Sequence, residues 1–169
     1  MAETGTGTAS LIPPESAGLV GTVVGEVRTA EIAAKESQRY AQAVDDLNPV
    51  YFDVDAARAA GYDGLVAPPT FVSHAVVEGQ PLSGLRPDGL FRSAQRLELA
   101  VQRVMFGGEE WEFERPAHVG DVVTAETRLT GLDQKEGSKG PFVRITNETT
   151  YTNQRGDVIA RVRQIGIAR

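Results

Sequence analysis

The chain has 169 residues, a formal net charge of −6 and no cysteine. Its length fits one domain with a sizeable core, and the absence of cysteine excludes disulfide bonds and thiolate metal sites. The acidic balance argues against nucleic acid as a partner, because phosphate binding needs a concentrated basic face.

The sequence contains no signal for a membrane span, for secretion or for a histidine metal site. No apolar run approaches the ~20 residues of a membrane span, and the first residues lack the basic and then apolar order of a secretory signal. We therefore expect no membrane partner and a cytoplasmic location. Only His74 and His118 are present, far apart in the chain, so we expect no histidine-rich metal site.

The N-terminal region predicts a lead-in followed by a strand. Residues 1–18 are rich in Gly, Thr, Ser and Pro, and are expected to be flexible unless another part of the molecule docks them. A single domain is expected over residues 19–169. It should open with a strand at Leu19–Val27, which is a short β-branched run.

Two helices are predicted next. Thr29 can cap the first helix, which should end near Leu47 because the residue before Pro49 is pushed away from helical angles. The second helix is expected over Val54–Ala60, where Gly61 stops it.

A third helix is expected to begin at Pro68-Pro69, because proline is tolerated in a first helical turn. The following segment, Thr70–Gly79, is apolar on nearly every side apart from Ser73 and His74. A helix that is apolar all round is a buried helix. We expect this one to lie in the middle of the molecule.

The second half of the chain alternates apolar and polar residues, as strands do. We predict strands at Glu98–Phe106, Glu109–Arg115, Asp121–Leu132, Pro141–Thr152 and Val158–Ala168. Turn residues separate them at positions 107–108, 116–121, 137–140 and 153–157. Hairpin-linked strands favour an antiparallel sheet, here curled around the buried helix in an α+β fold.

Three segments carry a family resemblance. Asp46–Tyr51 reads Asp-Leu-Asn-Pro-Val-Tyr and resembles the D-x-N-P-x-H signature of the R-specific enoyl-thioester hydratases, the MaoC-like branch of the hot-dog fold. Gly61–Phe71 and Glu112–Asp121 resemble one subgroup, the FAS1-like dehydratase domain, which includes accessory subunits of heterodimeric (3R)-hydroxyacyl-thioester dehydratases. The likeness covers roughly Val20–Ile167.

The resemblance implies a hot-dog fold, in which a curled antiparallel sheet wraps a long central helix. It also implies that two hot-dog units pair, as a homodimer or a heterodimer, to complete tunnels for an acyl chain. The reaction would be reversible syn addition of water to an enoyl thioester, carried by coenzyme A or by acyl carrier protein. No metal or redox cofactor would be needed.

The resemblance also assigns residues to this chemistry, and one of them departs from the family. Asp46 matches the family aspartate, although it could instead be a turn carboxylate. Asn48 matches the family asparagine, although an Asx turn before Pro49 explains it better. Tyr51 stands where the family has histidine. A phenol has a pKa of about 10, against about 6.5 for imidazole, and is a poor general base at neutral pH.

A second departure lies at the start of the central helix. Catalytic members have His-Gly there, and the glycine N–H faces the thioester oxygen, whereas this chain has Pro68-Pro69. Proline has no N–H. Thr70 could supply its N–H or hydroxyl instead, and Thr70 and Phe71 are the candidates for substrate contact. His74 is either a relocated base or a core residue.

Other polar and aromatic residues have weaker claims to a role. The candidates for binding coenzyme A phosphates or a carrier protein, which could equally be solvated charges, are Arg92, Arg96, Arg103 and Arg115. The expected core or dimer-contact aromatics are Trp111, Phe113, Phe142 and Tyr151. His118 is expected to be exposed.

These residues are compatible with three alternative functions. The first is a subunit of a heteromeric dehydratase or hydratase, whose hot-dog partner brings the intact Asp/His pair. The second is a self-sufficient homodimeric hydratase that uses Asp46. The third is a hot-dog acyl-thioester hydrolase or a non-catalytic thioester-binding module.

Overall fold

The structure is a computed structural model, and it describes residues 9–77, 82–85, 97–101 and 103–169. These residues form an α+β arrangement of short helices and long strands, the class that the sequence predicts. The helices are α1 (Pro14–Ala17), α2 (Ala34–Ala43), α3 (Val54–Ala59) and α4 (Phe71–Ala75), with 3₁₀ turns at Pro49–Tyr51 and Leu82–Gly84. The strands are β1 (Arg28–Glu31), β2 (Val104–Phe113), β3 (Val122–Gly137), β4 (Gly140–Thr152) and β5 (Val158–Ala168).

The five strands form one antiparallel sheet in the order β1-β3-β4-β5-β2, so that β1 and β2 are its edges. The long hairpin of β3 and β4 closes at the pair Gly137 and Gly140. The register shifts between β3 and β4 at Thr130 and between β4 and β5 at Ile159, and such bulges bend and twist the strands that carry them. The strands and turns predicted from position 121 onward are confirmed.

Strand β2 takes the place of two predicted strands, Glu98–Phe106 and Glu109–Arg115. The turn predicted at Gly107-Gly108 is wrong, because these glycines form a bulge in which Gly108 has a φ of 133°. Gly107 lies so close to β5 that a β-carbon there would be 3.1 Å from the side chain of Ile165. Close packing therefore favours glycine at position 107, and backbone conformation favours it at position 108.

The strand predicted at Leu19–Val27 is wrong. Gly21 and Gly25 have φ values of 89° and 80°, which turn the chain. Between them, Val23 forms an isolated bridge to Arg128 of β3. The first strand lies immediately after this segment, as β1, and pairs with the start of β3.

Two helix boundaries also differ from the prediction. Thr29 lies within β1 and caps no helix, and α2 begins without a side-chain cap. α2 ends before the predicted Leu47, because Asp45 turns the chain with a left-handed φ of 57°. Helix α3 is confirmed, and the side chain of Asp53 caps it by accepting two backbone N–H hydrogen bonds.

Residues 9–18 are docked on the rest of the molecule. Ser16 is 1% exposed, and its hydroxyl donates to the Glu98 carbonyl at 2.7 Å. Leu11 packs against buried side chains of β3 and β4. Residues 1–8 lie outside the described part of the chain.

Helix α4 occupies the predicted central position but is only five residues long. Phe71 and Val72 are fully buried against the sheet, which confirms that the start of this helix is internal. Val77, just beyond the helix, is 63% exposed, so the segment is not buried on every side as predicted. The predicted end at Gly79 lies outside the described residues.

Two clusters of buried side chains hold the sheet and helices together. The first surrounds α4 and includes Ile32, Phe71, Val72, Val123, Ile159 and Val162. The second lies farther along the sheet and consists of Leu129, Val143, Ile145 and Ala168. Burial of this apolar surface is the main favourable term in folding.

We predict that Leu129→Ala lowers the free energy of unfolding by about 2–5 kcal/mol, because it opens a cavity at a fully buried position. Urea denaturation measures this loss. Leu82→Ala is the matched control, since that leucine is 79% exposed and its truncation should change stability little. Equal losses in the two variants would contradict the placement of the second cluster.

Candidate active site

The loop after α2 folds through local side-chain contacts. Past the left-handed Asp45, the Asp46 N–H donates to the Ala41 carbonyl at 2.9 Å. The Asn48 side chain then accepts from the Val50 N–H at 3.3 Å and starts the 3₁₀ turn. Asn48 is exposed, and this bond is the one expected of an Asx turn at the proline.

This loop brings two of the predicted site residues into contact. The Tyr51 hydroxyl donates to Asp46 Oδ2 at 3.1 Å. Tyr51 is 7% exposed and packs with Ala41 and Val66, whereas Asp46 is half-buried. The spacing of five positions therefore places a phenol and a carboxylate side by side, and we call them the Asp46–Tyr51 pair.

The electrostatics of this pair keep the phenol protonated. Burial, the hydrogen bond to Asp46 and the negative charge of Asp46, in that order, together raise the pKa of Tyr51 to about 12. At neutral pH the Tyr51 hydroxyl is therefore a hydrogen-bond donor to the carboxylate. The lone pairs of the neutral phenol oxygen are far less basic than that of a neutral imidazole nitrogen, so Tyr51 does not accept a proton from water at neutral pH.

The start of α4 has no glycine at the position expected of an oxyanion donor. Pro68 is buried and Pro69 is exposed, and neither has an N–H. The Thr70 hydroxyl shares a hydrogen bond of 2.9 Å with the Tyr40 hydroxyl. Phe71 is fully buried in the first cluster, so its ring is a core contact in this structure.

His74 lies at a different place from the Asp46–Tyr51 pair. It is exposed on α4, with its ring centroid 5.5 Å from that of Tyr40. It lines a cavity of about 690 Å³ between α4 and the sheet, which we call the helix–sheet cavity. Neither Asp46 nor Tyr51 is among the residues that line this cavity. The structure thus brings together two of the three predicted catalytic residues and separates the third.

Asp121 is a structural residue that sequence analysis did not single out. It is 4% exposed, and its carboxylate accepts from the His118 N–H at 2.9 Å and from Gln154 Nε2 at 3.2 Å. A buried carboxylate needs such partners. The sequence signal that could have identified Asp121 is the Gly-Asp pair that ends the segment Glu112–Asp121. His118 is half-buried in this loop, so the prediction that it is exposed is wrong.

The candidate phosphate-binding arginines do not form a common cluster within the described residues. Arg115 lies 4.0 Å from the Asp157 carboxylate. Arg103 is exposed at the sheet end, and its backbone pairs with that of Arg169. Arg92 and Arg96 lie outside the described residues.

The predicted aromatic set divides between core and surface. Trp111 stacks on Phe113, with ring centroids 5.4 Å apart, and on Tyr151, at 5.8 Å. Tyr151 is 5% exposed, and burial together with the nearby charge of Glu109 raises its pKa to about 12. Phe113 is 45% exposed on the edge strand β2. The cationic end of Arg169 lies over Phe142.

With this geometry established, comparison with known proteins decides the family. Residues 18–162 match the family described as FAS1-like, dehydratase domain region. The chain belongs to this family. The resemblance predicted from the sequence is thereby confirmed, and the chain is a member of the hot-dog hydratase and dehydratase group.

Two relatives illustrate the range of the family. A UPF0336 protein of Thermobifida fusca is 32% identical over 109 residues, which are 64% of this chain and 66% of that protein. A probable enoyl-CoA hydratase alpha subunit of Thermomonospora curvata is 29% identical over 154 residues. That match covers 85% of this chain but only 47% of the relative, so the chain spans about half of its length.

Solved structures confirm the hot-dog fold. The ChsH1-ChsH2 complex from Mycobacterium tuberculosis contains a chain with a TM-score of 0.68 at 21% identity, covering 84% of this chain and 82% of that one. The HadBC (3R-hydroxyacyl-ACP dehydratase) complex from the same organism contains a chain with a TM-score of 0.63 at 19% identity. That match covers 88% of this chain and 96% of the other. Likeness at these identities shows the fold alone.

Two features are absent from the part of the chain that the structure describes. No helix there is long and apolar enough to cross a membrane. Three or more His, Asp or Glu side chains do not converge anywhere in these residues in a way that could hold a metal ion.

We predict that two of the four tyrosines, Tyr51 and Tyr151, ionise near pH 12. Because their folded pKa values lie above the ordinary 10, the stability they confer is complete below pH 10 and is lost as pH rises towards 12. Ultraviolet absorbance of tyrosinate measures the titration. Tyr51→Phe and Tyr151→Phe should each remove one high-pH step, and titration of all four tyrosines near pH 10 would contradict the burial described.

Proposed function

We propose that this chain is a subunit of an enoyl-thioester hydratase or (3R)-hydroxyacyl-thioester dehydratase, and that a hot-dog partner carries the complete catalytic pair. The observation that supports this most directly is the Asp46–Tyr51 pair. A protonated phenol occupies the place of the family histidine and donates to the carboxylate beside it.

The reaction explains why this substitution matters. Hydration requires a group to take a proton from water as its oxygen bonds to the β-carbon, and a group to protonate the α-carbon. In the family an aspartate and a histidine hold that water together. Here Tyr51 can only donate, and its bond occupies one oxygen of Asp46. Loss of one general base typically lowers a rate by about 10²–10⁴.

The second requirement, stabilisation of the enolate oxygen, is also weakened in this chain. Pro68 and Pro69 offer no N–H at the start of α4. Loss of one oxyanion donor typically costs about 10²–10³ in turnover. Thr70 is the nearest alternative, although its hydroxyl is already bonded to Tyr40. Two separate parts of the machinery are therefore reduced, which favours a role that depends on a partner.

The edge strand β2 is the surface on which we place that partner. It is ten residues long and pairs on one side with β5. Phe106 is 72% exposed, and Val104, Met105 and Phe113 are also exposed along it. Long apolar edges are normally protected, because their free backbone groups invite pairing with another strand. A second hot-dog unit that adds its own edge strand would cover both the backbone and these side chains.

The relatives support the same assignment. One is named a hydratase alpha subunit, and the chain spans about half of it. Two neighbours in structure come from complexes of two named components, one of them a (3R)-hydroxyacyl-ACP dehydratase. An acyl thioester carried by coenzyme A or by acyl carrier protein is therefore the substrate class we propose, with this chain shaping part of the acyl tunnel.

We predict that the purified chain alone hydrates crotonyl-coenzyme A about 10²–10⁴ times more slowly than a complex with a hot-dog subunit that has an intact D-x-N-P-x-H motif. The physical reason is the missing proton acceptor. Loss of the ultraviolet absorbance of the conjugated enoyl thioester measures the rate. Release of free coenzyme A from saturated thioesters is measured in parallel, because that result would indicate a hydrolase.

The control for this prediction uses Tyr51 and Tyr62, a half-buried tyrosine that packs against the cluster of Tyr51, Ala41 and Val66. Tyr51→Phe and Tyr62→Phe should leave the activity of the complex equally unchanged, since neither phenol acts as a base. Rapid hydration by the chain alone, abolished by Asp46→Asn, would overturn the proposal in favour of a self-sufficient homodimer.

We further predict that activity can be introduced into the lone chain in two steps. Tyr51→His supplies a proton acceptor beside Asp46, and Pro69→Gly supplies an N–H at the start of α4. Each single variant should remain slow, and the double variant should exceed their separate gains, because the reaction uses both groups in one transition state. Steady-state kinetics with crotonyl-coenzyme A measure this. Equal rates in all three variants would contradict the roles assigned to positions 51 and 69.

A further inference from the structure

The helix–sheet cavity lies between the two core clusters. Along β3, the alternate positions Val123, Ala125, Thr127 and Leu129 follow one another on the inner face of the sheet. Val123 and Ala125 belong to the first cluster, which holds the start of α4, and Leu129 belongs to the second. Ala125 and Thr127 line the cavity. A ligand that runs along the cavity away from the start of α4 therefore approaches the second cluster.

The N-terminal part of the chain closes the cavity on that side. Leu11, Ile12 and Leu19 pack against the second cluster. Val24 packs against the same cluster and also lines the cavity. Among the described residues, it is the one side chain that belongs to both sets. Val24 is therefore the wall between the cavity and the second cluster.

Backbone hydrogen bonds fix this wall to the edge of β3. The Gly21 N–H donates to the Leu129 carbonyl at 2.7 Å, and the Leu129 N–H donates to the Thr22 carbonyl at 3.1 Å. The Val24 N–H donates to the Thr127 carbonyl at 2.8 Å. Packed side chains lie behind this segment, and close-packed interiors yield little to a change in volume. A ligand that fills the cavity therefore meets a side chain held in place.

The size and walls of the cavity suit an apolar chain. Its volume of about 690 Å³ lies within the range of small-molecule sites, about 300–1,000 Å³. Val76 and Val77 line it on the helix side, and the rings of Tyr40 and Tyr151 also line it. The side chain of Val24 offers apolar contact alone. An acyl chain that enters from the start of α4 would end against Val24.

We propose that Val24 sets the length of the acyl chain that the helix–sheet cavity accepts. This inference rests on the proposed function for the thioester class, and it adds the residue that limits the acyl group. Residues of one protomer line the cavity, so the full chain alone can be tested.

The test measures the affinity of the full chain for coenzyme A thioesters by calorimetry. The probes are butanoyl-, hexanoyl-, octanoyl-, decanoyl- and dodecanoyl-coenzyme A. Burial of each methylene should tighten the dissociation constant about fourfold, until the acyl chain reaches Val24. Further methylenes find no apolar surface to cover, so the gain should stop there. We call the longest probe that still gains affinity the limit probe.

Two variants of Val24 should move the limit in opposite directions. Val24→Ala removes two methyl groups from the wall, so the probe after the limit probe should bind about fourfold or more tightly than it binds the unaltered chain. Val24→Phe extends the wall into the cavity, so the limit probe should bind about fourfold or more weakly. Butanoyl-coenzyme A should bind all three proteins equally, which shows that the variants fold. The same limit probe in all three would overturn the inference.

The matched controls are Val23→Ala and Val23→Phe. Val23 is the same residue one position earlier, and it too lies along the edge of β3, where it forms the bridge to Arg128. It is 38% exposed and is not among the residues that line the cavity. Both controls should keep the original limit probe. Shifts equal to those of the Val24 variants would indicate a general loosening of this segment and refute the assignment.

The outcome can be separated from that of the proposed function. Hydration by the assembled complex decides whether the chain is a hydratase subunit, whichever probe is the limit. If no probe binds the full chain while the complex is active, the cavity is not the acyl site and this inference alone fails. If the complex is inactive while the Val24 variants shift the limit as expected, the cavity binds acyl chains and the proposed function alone fails.

Discussion

The packing of α4 against the antiparallel sheet is the constraint on which the rest of the molecule depends. Phe71 and Val72 have no exposed surface, and they belong to the first cluster together with buried side chains of β3, β4 and β5. This contact holds the start of α4 in place, next to Tyr40 of α2. The ends of both helices, and hence the loop with the Asp46–Tyr51 pair, take their positions from it.

The tyrosine at position 51, where the family has histidine, has a structural and a chemical consequence. Tyr51 fills space against Ala41 and Val66 and closes a hydrogen bond to Asp46, so the loop is well packed. Burial and the neighbouring carboxylate both favour the neutral phenol, and both therefore oppose its use as a base. A group that stabilises this loop by donating a proton cannot also accept one from water at neutral pH.

Sequence patterns predicted those parts of the fold that depend on near neighbours. Alternation marked β3 to β5. The family resemblance assigned Asp46 and Tyr51 to one site, and the structure brings their side chains into contact. The errors arose where tertiary contact overrides local preference: Gly107-Gly108 has the residues of a turn, yet close approach to Ile165 makes it a bulge. Asn147, Gln164 and Glu109 are far apart in the sequence, and only strand register shows that they form one polar row.

That row runs from the helix–sheet cavity to the edge strand β2. Asn147 lies in the cavity floor, and Glu109, at the far end of the row, is on the edge strand β2 where a partner would add its own strand. Pairing at this edge would reduce the water around Glu109 and strengthen its bond to Gln164, because hydrogen bonds to a charge gain strength as the surroundings become less polar. A fixed Gln164 would in turn restrict the neighbouring Asn147 amide. Assembly could therefore order the cavity of this chain at the same time as it brings in the partner's proton acceptor.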